Sequence, residues 1–401
     1  MKKNYLFIVL GIALLTMNAC KSELDLDKEL KFSKLTVEKQ KEKIESSGMD
    51  MVNIMDGMLD TEAMNAITNM MSISDINLSE LQAVKAPMQN LRTDLKNNRL
   101  TAFSNFDRQM RISYVESDVW GEYEYNFTTK EIEQIKTLTN KLIVRFPATE
   151  TSTKNNAEIT ITYEESNVIV PESEDYYPSK MTFKMNVDSK EVMTANFSGT
   201  YYTDGTPKKV SASVTIEDYK WTLEVANDKK TASETYEFKQ GSKTIIKSNA
   251  EIKGKLSQDE LENSEYPQDV ISSFAMYFQA MNIAVRGGMT DFNKFAQEME
   301  TITKNSTLTE KQAMERTATL VNKYMVFYAF FVDSNEKFAD VEFYVVEDEV
   351  YDEWAGYYVT EYNLAPRFVL SDGSKVSAEE FIQTGFDDLI QKIEDMTAEF
   401  N

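Results

Sequence analysis

The chain has 401 residues, of which 42% are hydrophobic, so it can bury a sizeable core, and disorder over its whole length is not expected. Its 66 Asp and Glu against 43 Lys and Arg give a net charge of −23, which disfavours binding to the phosphates of nucleic acid. The single cysteine precludes an intramolecular disulfide, and the lack of histidine excludes Ser-His-Asp and Cys-His catalysis and every zinc site that needs imidazole.

The first twenty residues have the organisation of an export signal. Lys2 and Lys3 precede an apolar segment at 5–15, and the small Ala19 precedes Cys20. The apolar segment is too short for a transmembrane helix, which needs about 20 residues. These features resemble a bacterial lipoprotein signal peptide, whose lipobox ends in a small residue and a cysteine. The resemblance implies cleavage before Cys20, lipidation of that cysteine and anchoring to a membrane; an ordinary secretory signal ending at a cysteine is the alternative.

An acid-rich segment with interspersed leucines follows at residues 21–29, with the sequence KSELDLDKE. It resembles the export signal that directs some lipoproteins of Gram-negative gut bacteria to the outer face of the outer membrane. The resemblance implies an outer-membrane anchor and display at the cell surface. A solvated spacer would explain the same residues.

Helical periodicity begins at Thr36, a predicted N-cap, and a second helix is predicted from the capping box at Ser79. Pro87 should kink this second helix. The residues that form an apolar stripe on the first helical segment are Val52, Met55, Leu59, Ala63, Ala66 and Met70. The methionines concentrated in the same region are Met49, Met51, Met55, Met58, Met64, Met70 and Met71. They predict either a pliable surface for lipid or amphipathic peptides, or gap-filling in a core, and we favour the core.

From about residue 110 the hydrophobic period changes to 2, and turn signals separate the alternating segments. The turns are predicted at Asp188, Asp204-Gly205, Asn227 and Gln240-Gly241. This pattern is typical of an antiparallel meander with one apolar face. One helix is predicted within it, at 130–141, because Thr128-Thr129-Lys130-Glu131 reads as a capping box.

Helical patterns return after Pro267. We predict one helix from Val270 to Val285, closed by Gly287-Gly288, a second from Phe292 to Ile302, and a third that starts at Thr309 and continues through Phe331. Short strands are then predicted at 341–346, 357–362 and 367–370. A capping box at Ser377 should start a final helix that ends near residue 397.

Together these elements predict an α+β fold, a curved antiparallel β-meander with N- and C-terminal helices packed over its apolar face. The predicted segments are the signal peptide 1–19, a tether 20–34, N-terminal helices 35–105, the meander 106–256, and C-terminal helices with a small β-hairpin 257–401. This layout resembles the half-barrel of periplasmic lipoprotein carriers, but a shared layout does not imply a shared function. The whole pattern is also similar to lipoproteins of gut bacteria, which implies a location and no reaction.

One group of acidic and aromatic side chains could carry chemistry. It comprises Glu347, Asp348, Glu349, Asp352, Glu353, Trp354 and Tyr357. Two facing carboxyls could hydrolyse a glycoside, but a solvated loop is the preferred interpretation. Asp372-Gly373-Ser374 lacks a calcium-loop pattern, and no phosphate-binding loop is present. Trp120, Trp221 and Trp354 could stack on sugars, whereas Trp221 fits the core better. We therefore predict no catalytic, metal or cofactor site, and no enzyme.

Three functions remain. The first is a non-enzymatic lipoprotein, attached to the membrane through lipid on Cys20, that binds or carries an apolar ligand between sheet and helices. The second is an accessory component of a cell-surface assembly that binds a glycan or an envelope protein. The third, least favoured, is a carboxylate-based glycan hydrolase. A dry cavity lined by methionine would favour the first, a filled core with an exposed aromatic patch the second, and two carboxylates facing each other in a cleft the third.

Overall fold

The computed structural model describes residues 23–27, 29–73, 87–91, 93, 94, 106, 120–170, 176–264, 266–352, 357–377, 380, 381 and 386. The predicted signal peptide, Cys20, the helix start at Ser79 and most of the predicted final helix lie outside these residues.

The main element is an open, mostly antiparallel sheet of 16 strands, accompanied by a few helices, which agrees with the predicted α+β class. Its strands are β1 Gly121–Asn126, β2 Glu131–Thr137, β3 Lys141–Phe146, β4 Ala157–Ile169, β5 Tyr176–Val187, β6 Lys190–Tyr201, β7 Pro207–Ile216, β8 Tyr219–Asn227, β9 Thr231–Gln240, β10 Lys243–Gly254, β11 Ile271–Ala280, β12 Ile283–Met289, β13 Met325–Phe331, β14 Glu336–Asp352, β15 Tyr357–Leu370 and β16 Lys375–Ser377. From β3 to β16 each strand lies beside the next along the chain, whereas β1 lies between β3 and β2 and is parallel to β3.

The helices are α1 Val37–Asp56, α2 Glu62–Ser72, α3 Gln258–Asn263, α4 Phe292–Thr303 and α5 Glu310–Tyr324, with 3-10 turns at Gly57–Asp60 and Pro267–Asp269. Two predicted caps are confirmed. Thr36 Oγ1 accepts from Lys39 N, and Thr309 forms a reciprocal capping box with Gln312. These caps satisfy backbone donors that the first turn of a helix leaves free.

The described residues form two compact units, one within 50–226 and 236–245, the other within 1–49, 227–235 and 246–391. In the first unit, α2 contacts β5 and β6 and buries Ala63, Ala66 and Met70 of the predicted stripe. The side chains of Met55 and Trp221 are also buried in the core, as predicted.

In the second unit, the register places alternate residues of β10–β13 on two faces. One face packs against α4 and α5 in a cluster that contains Ile252, Phe274, Met289, Phe295 and Val321. The other face carries a row of polar side chains that includes Asn249, Tyr277, Arg286 and Tyr328.

The predicted helix at 130–141 is wrong, because these residues form β2 and the start of β3. Asn126 Oδ1 accepts from Thr128 N at 2.9 Å, and Lys130 adopts a φ of 64°. The apparent capping box is therefore a hairpin turn between β1 and β2, closed by an asparagine side chain.

The predicted helix at 270–285 is also wrong, because β11 and β12 form an antiparallel hairpin there. Gly287 and Gly288 lie within β12 opposite Phe327 and Val326, not at a helix end. The strands are covered on both faces in places, so their apolar residues do not alternate cleanly and imitate a helical period.

The helix predicted from Thr309 to Phe331 ends at Tyr324, and Met325–Phe331 is strand β13. The strands predicted at 357–362 and 367–370 belong to one strand, β15, which pairs with β14 along its whole length. Residues 257–401, predicted to be mainly helical, thus contain six strands of the sheet. The periodicity of a local segment does not reveal these strands, because pairing with neighbouring strands decides whether they form.

Candidate anchor segment and binding surfaces

Cys20, the predicted lipidation site, lies outside the described residues, but the segment that follows it is described from Glu23. Residues 23–27 and 29–33, called the strap here, lie on the polar face of β10–β14. Three kinds of contact hold the strap there: an ion pair, a hydrogen bond to a buried arginine, and apolar packing.

The ion pair joins Glu23 to Lys247 of β10, with 2.7 Å between Oε1 and Nζ. Asn249, two residues further along the same face of β10, donates to the other carboxylate oxygen. Only about a quarter of the Glu23 side chain and a fifth of the Lys247 side chain are exposed. This partial burial makes the pair stronger than an ordinary surface ion pair, because water screens it less.

The buried arginine is Arg286 of β12, which is 3% exposed. Its Nη1 donates to the hydroxyl of Tyr328 at 2.9 Å and to the carbonyl of Asp25 at 3.4 Å. Its guanidinium also lies 5.3 Å from the ring centroid of Phe330. Burial raises the pKa of Tyr328, and the nearby guanidinium opposes that shift. The strap therefore contributes a carbonyl oxygen to a desolvated positive charge.

The apolar contact is made by Leu30, which packs in a buried cluster with Tyr277, Ala284, Tyr328 and Phe330. At the end of the strap, the backbone pairs with β14: Ser33 N donates to Lys337 O at 2.7 Å and Lys337 N donates to Lys31 O at 2.8 Å. Residues 23–27 and 29–33 of the predicted tether thus lie on the sheet.

The predicted methionine group lies mainly in the core. Met55, Met58, Met64 and Met70 are buried, and the other three members are half-buried. An open cleft of about 580 Å³ occurs elsewhere, in the second unit, and it is lined by polar residues that include Lys229, Lys230, Lys253 and Lys255. This cleft is not lined by methionine, so it does not match the pocket expected of an apolar carrier.

The acidic and aromatic group lies on the long β14–β15 hairpin, with Glu353 and Trp354 outside the described residues. Asp348 lies opposite Glu361 across the two strands, but both side chains are exposed, and Asp348 accepts a hydrogen bond from Asn363. Glu347 contacts Lys311. The described carboxylates therefore face each other on an open ribbon, without the enclosure that a glycosidase uses to exclude water and orient a sugar.

The turn at Asp372 is closed by its own side chain. Asp372 Oδ1 accepts from Ser374 N at 2.9 Å and from Ser374 Oγ at 2.6 Å, and these bonds lower the pKa of Asp372. The carboxylate thus satisfies the turn backbone. Among the described residues, no group of three or more acidic or other ligating side chains has the arrangement of a metal site.

The residues that contact the strap were not predicted from the sequence. Arg286 lies in an otherwise apolar segment, IAVRGGM, and this isolated charge was a usable signal. The incorrect prediction of a helix at 270–285 hid the pairing of Tyr277 with Arg286, because helical spacing would place these two positions on different faces.

None of the described helices combines the length and apolar character needed to cross a membrane. No family model, curated protein or solved structure matches the chain.

Proposed function

We propose that this chain is a non-enzymatic lipoprotein of the outer membrane, anchored through lipid on Cys20, which acts by binding another component of the cell envelope. The N-terminal motif supports the anchor. The docked strap supports a specific way of holding it: Glu23, three residues after Cys20, is fixed to Lys247 of the sheet. Three residues span at most about 10 Å, so the lipid would enter the membrane close to β10.

The same proposal includes a curved antiparallel meander with helices over its apolar face. The packing of α4 and α5 against Phe274 and Met289 supports this arrangement in one unit, and the contacts of α2 with β5 and β6 support it in the other. Both faces of the second unit are then occupied, one by helices and the other by the strap.

An envelope partner is favoured over an apolar cargo. Buried methionines fill the core, whereas the distal end of the β14–β15 hairpin exposes three tyrosines, Tyr351, Tyr357 and Tyr358. Exposed tyrosines are typical of surfaces that bind another molecule, because the ring offers apolar area and the hydroxyl remains hydrated. This exposed group is the observation that carries the choice of partner.

The first experiment is intact-mass spectrometry of the full chain, expressed in a Gram-negative host and extracted from its membranes in mild detergent. We expect a mature chain that starts at Cys20 and carries acyl groups, without further co-purifying lipid. The variant Cys20→Ala should lose the acyl mass and should no longer fractionate with the membranes.

An unmodified Cys20 in a soluble product would overturn the anchor. Lipid retained beyond the anchor, in a fixed ratio to protein, would overturn the choice of an envelope partner and would favour the carrier instead. Protease accessibility on intact cells then tests surface display, because a protein held on the inner leaflet would be protected.

A further inference from the structure

The distal ribbon, residues 344–352 of β14 and 357–366 of β15, exposes aromatic rings on a face that is buried elsewhere. Phe343 and Leu364 pack against the cluster under α4 and α5. Further along the same face, Lys311 at the start of α5 contacts Glu347. Beyond it, Tyr351 and Tyr358 lie opposite each other with ring centroids 5.3 Å apart.

The exposure of these rings is large. Tyr351 is 52% exposed, Tyr358 is 68% exposed, and Tyr357 on the opposite face is 61% exposed. The ribbon thus continues this face of the sheet past the start of α5, where the rings of Tyr351 and Tyr358 are more than half exposed.

Among the described strands, none pairs with the edges of the ribbon. β13 pairs with β14 only up to Asp340, and β16 pairs with β15 only at Arg367–Val369. Where the ribbon begins, Asn322 of α5 imitates a neighbouring strand: its amide donates to Phe343 O and accepts from Phe343 N, both at 2.7 Å. Beyond the Asn322–Phe343 hydrogen bonds, no described strand pairs with the outward N–H and C=O groups of the ribbon. Such unpaired groups can form hydrogen bonds with an added strand.

The charge of the ribbon identifies the chemistry of an occupant. Residues 348–352 and 357–361 contain four acidic residues and no lysine or arginine. We propose that the distal ribbon binds a basic, extended segment of an envelope polypeptide. The segment lies along an open edge of the ribbon. On one face its lysine or arginine side chains lie on the rings of Tyr351 and Tyr358 and beside Glu349, and on the opposite face they lie beside Glu361.

Other occupants fit less well. Nucleic acid and anionic lipid would meet uncompensated carboxylates. A neutral glycan could stack on the tyrosines, but it would not use the open strand edges or the concentration of negative charge. The net charge of −23 on the whole chain adds long-range attraction for a basic partner.

The test measures binding of synthetic peptides to the detergent-solubilised full chain by fluorescence anisotropy. One peptide repeats Lys-Lys-Thr-Thr, so that an extended segment carries lysine on both faces, and its counterpart repeats Glu-Glu-Thr-Thr. We expect saturable binding of the lysine peptide alone, weakened roughly tenfold between about 0.05 and 0.5 M salt, because salt screens the exposed carboxylates.

Variants locate the site. The double variant Tyr351→Ser/Tyr358→Ser should weaken binding roughly tenfold, because it removes both rings from one face. Tyr176→Ser, which removes an exposed tyrosine of β5, is the matched control and should bind as the unsubstituted chain does. Circular dichroism on each variant checks that the sheet is retained.

A second pair of variants separates the ribbon from general attraction to an acidic protein. Glu349→Gln/Glu361→Gln and Glu131→Gln/Glu165→Gln remove the same charge, one pair from the ribbon and the other from exposed positions of β2 and β4. Equal weakening by both pairs, or binding of a neutral oligosaccharide in place of the lysine peptide, would overturn the proposal.

This inference rests on the proposed function, but the two fail separately. Loss of lipidation in the mass measurement leaves peptide binding unaffected and rejects the anchor alone. If the protein is lipidated but does not bind the lysine peptide, only the proposed ribbon site is rejected.

Discussion

Replacing Leu30 by alanine should release the strap from the sheet. Leu30 is 7% exposed and packs against Tyr277, Tyr328 and Phe330. Burying a leucine contributes about 1.5–3 kcal/mol, and truncation leaves a cavity as well. We expect the strap to detach locally while the sheet stays folded, so the free energy of strap release should fall by about 2–3 kcal/mol.

Trypsin reports this release, because the carbonyl of Lys31 is bound to Lys337 N in the docked strap. When opening is faster than cleavage, the rate follows the open population, so cleavage after Lys31 should rise about 30- to 150-fold in Leu30→Ala. Leu261→Ala, which truncates an exposed leucine of α3, should leave the rate unchanged. Equally fast cleavage in all three proteins would show that the strap is not held by Leu30.

Two further predictions concern the strands themselves. Burial raises the pKa of Tyr236 to about 12, against about 10 in an unfolded chain, so the stability that this residue contributes is present below pH 10 and is lost as the pH rises through 12. Urea unfolding at pH 9 and pH 11.5 should show a smaller loss in Tyr236→Phe; the same loss in both proteins would refute this. In Gly287→Ala, the new Cβ would lie 1.9 Å from Phe327 Cδ1, so the ring must move, and the free energy of unfolding should fall by about 1–3 kcal/mol in urea denaturation. An unchanged midpoint would contradict that packing.

Features that depend on a few neighbouring residues were predictable from the sequence. The turn at Asp188 and Ser189 has φ of 47° and 67°, as a two-residue hairpin requires, and the capping box at Thr309 forms as its spacing indicates. The lipidation motif at Cys20 is of the same kind, since a short segment defines it, and it stays a prediction.

The identity of β2, β11, β12 and β13 was not predictable. Their sequences have helical spacing or no clear period, and pairing with neighbouring strands decided their structure. The distal ribbon is an intermediate case: its acidic and aromatic residues were evident in the sequence, but their exposure depends on how much of β14 and β15 is covered by α5.

The strap shows most clearly which contacts cannot be predicted from the sequence. The sequence alone determines that Glu23 and Asp25 alternate with leucines in a short acidic segment. Only the tertiary structure decides that Glu23 meets Lys247, more than two hundred positions away along the chain, and that a buried Arg286 lies beneath Asp25. Local residue preferences carry no information about such contacts, because the strands must first pair and expose one polar face before the segment has a surface on which to lie.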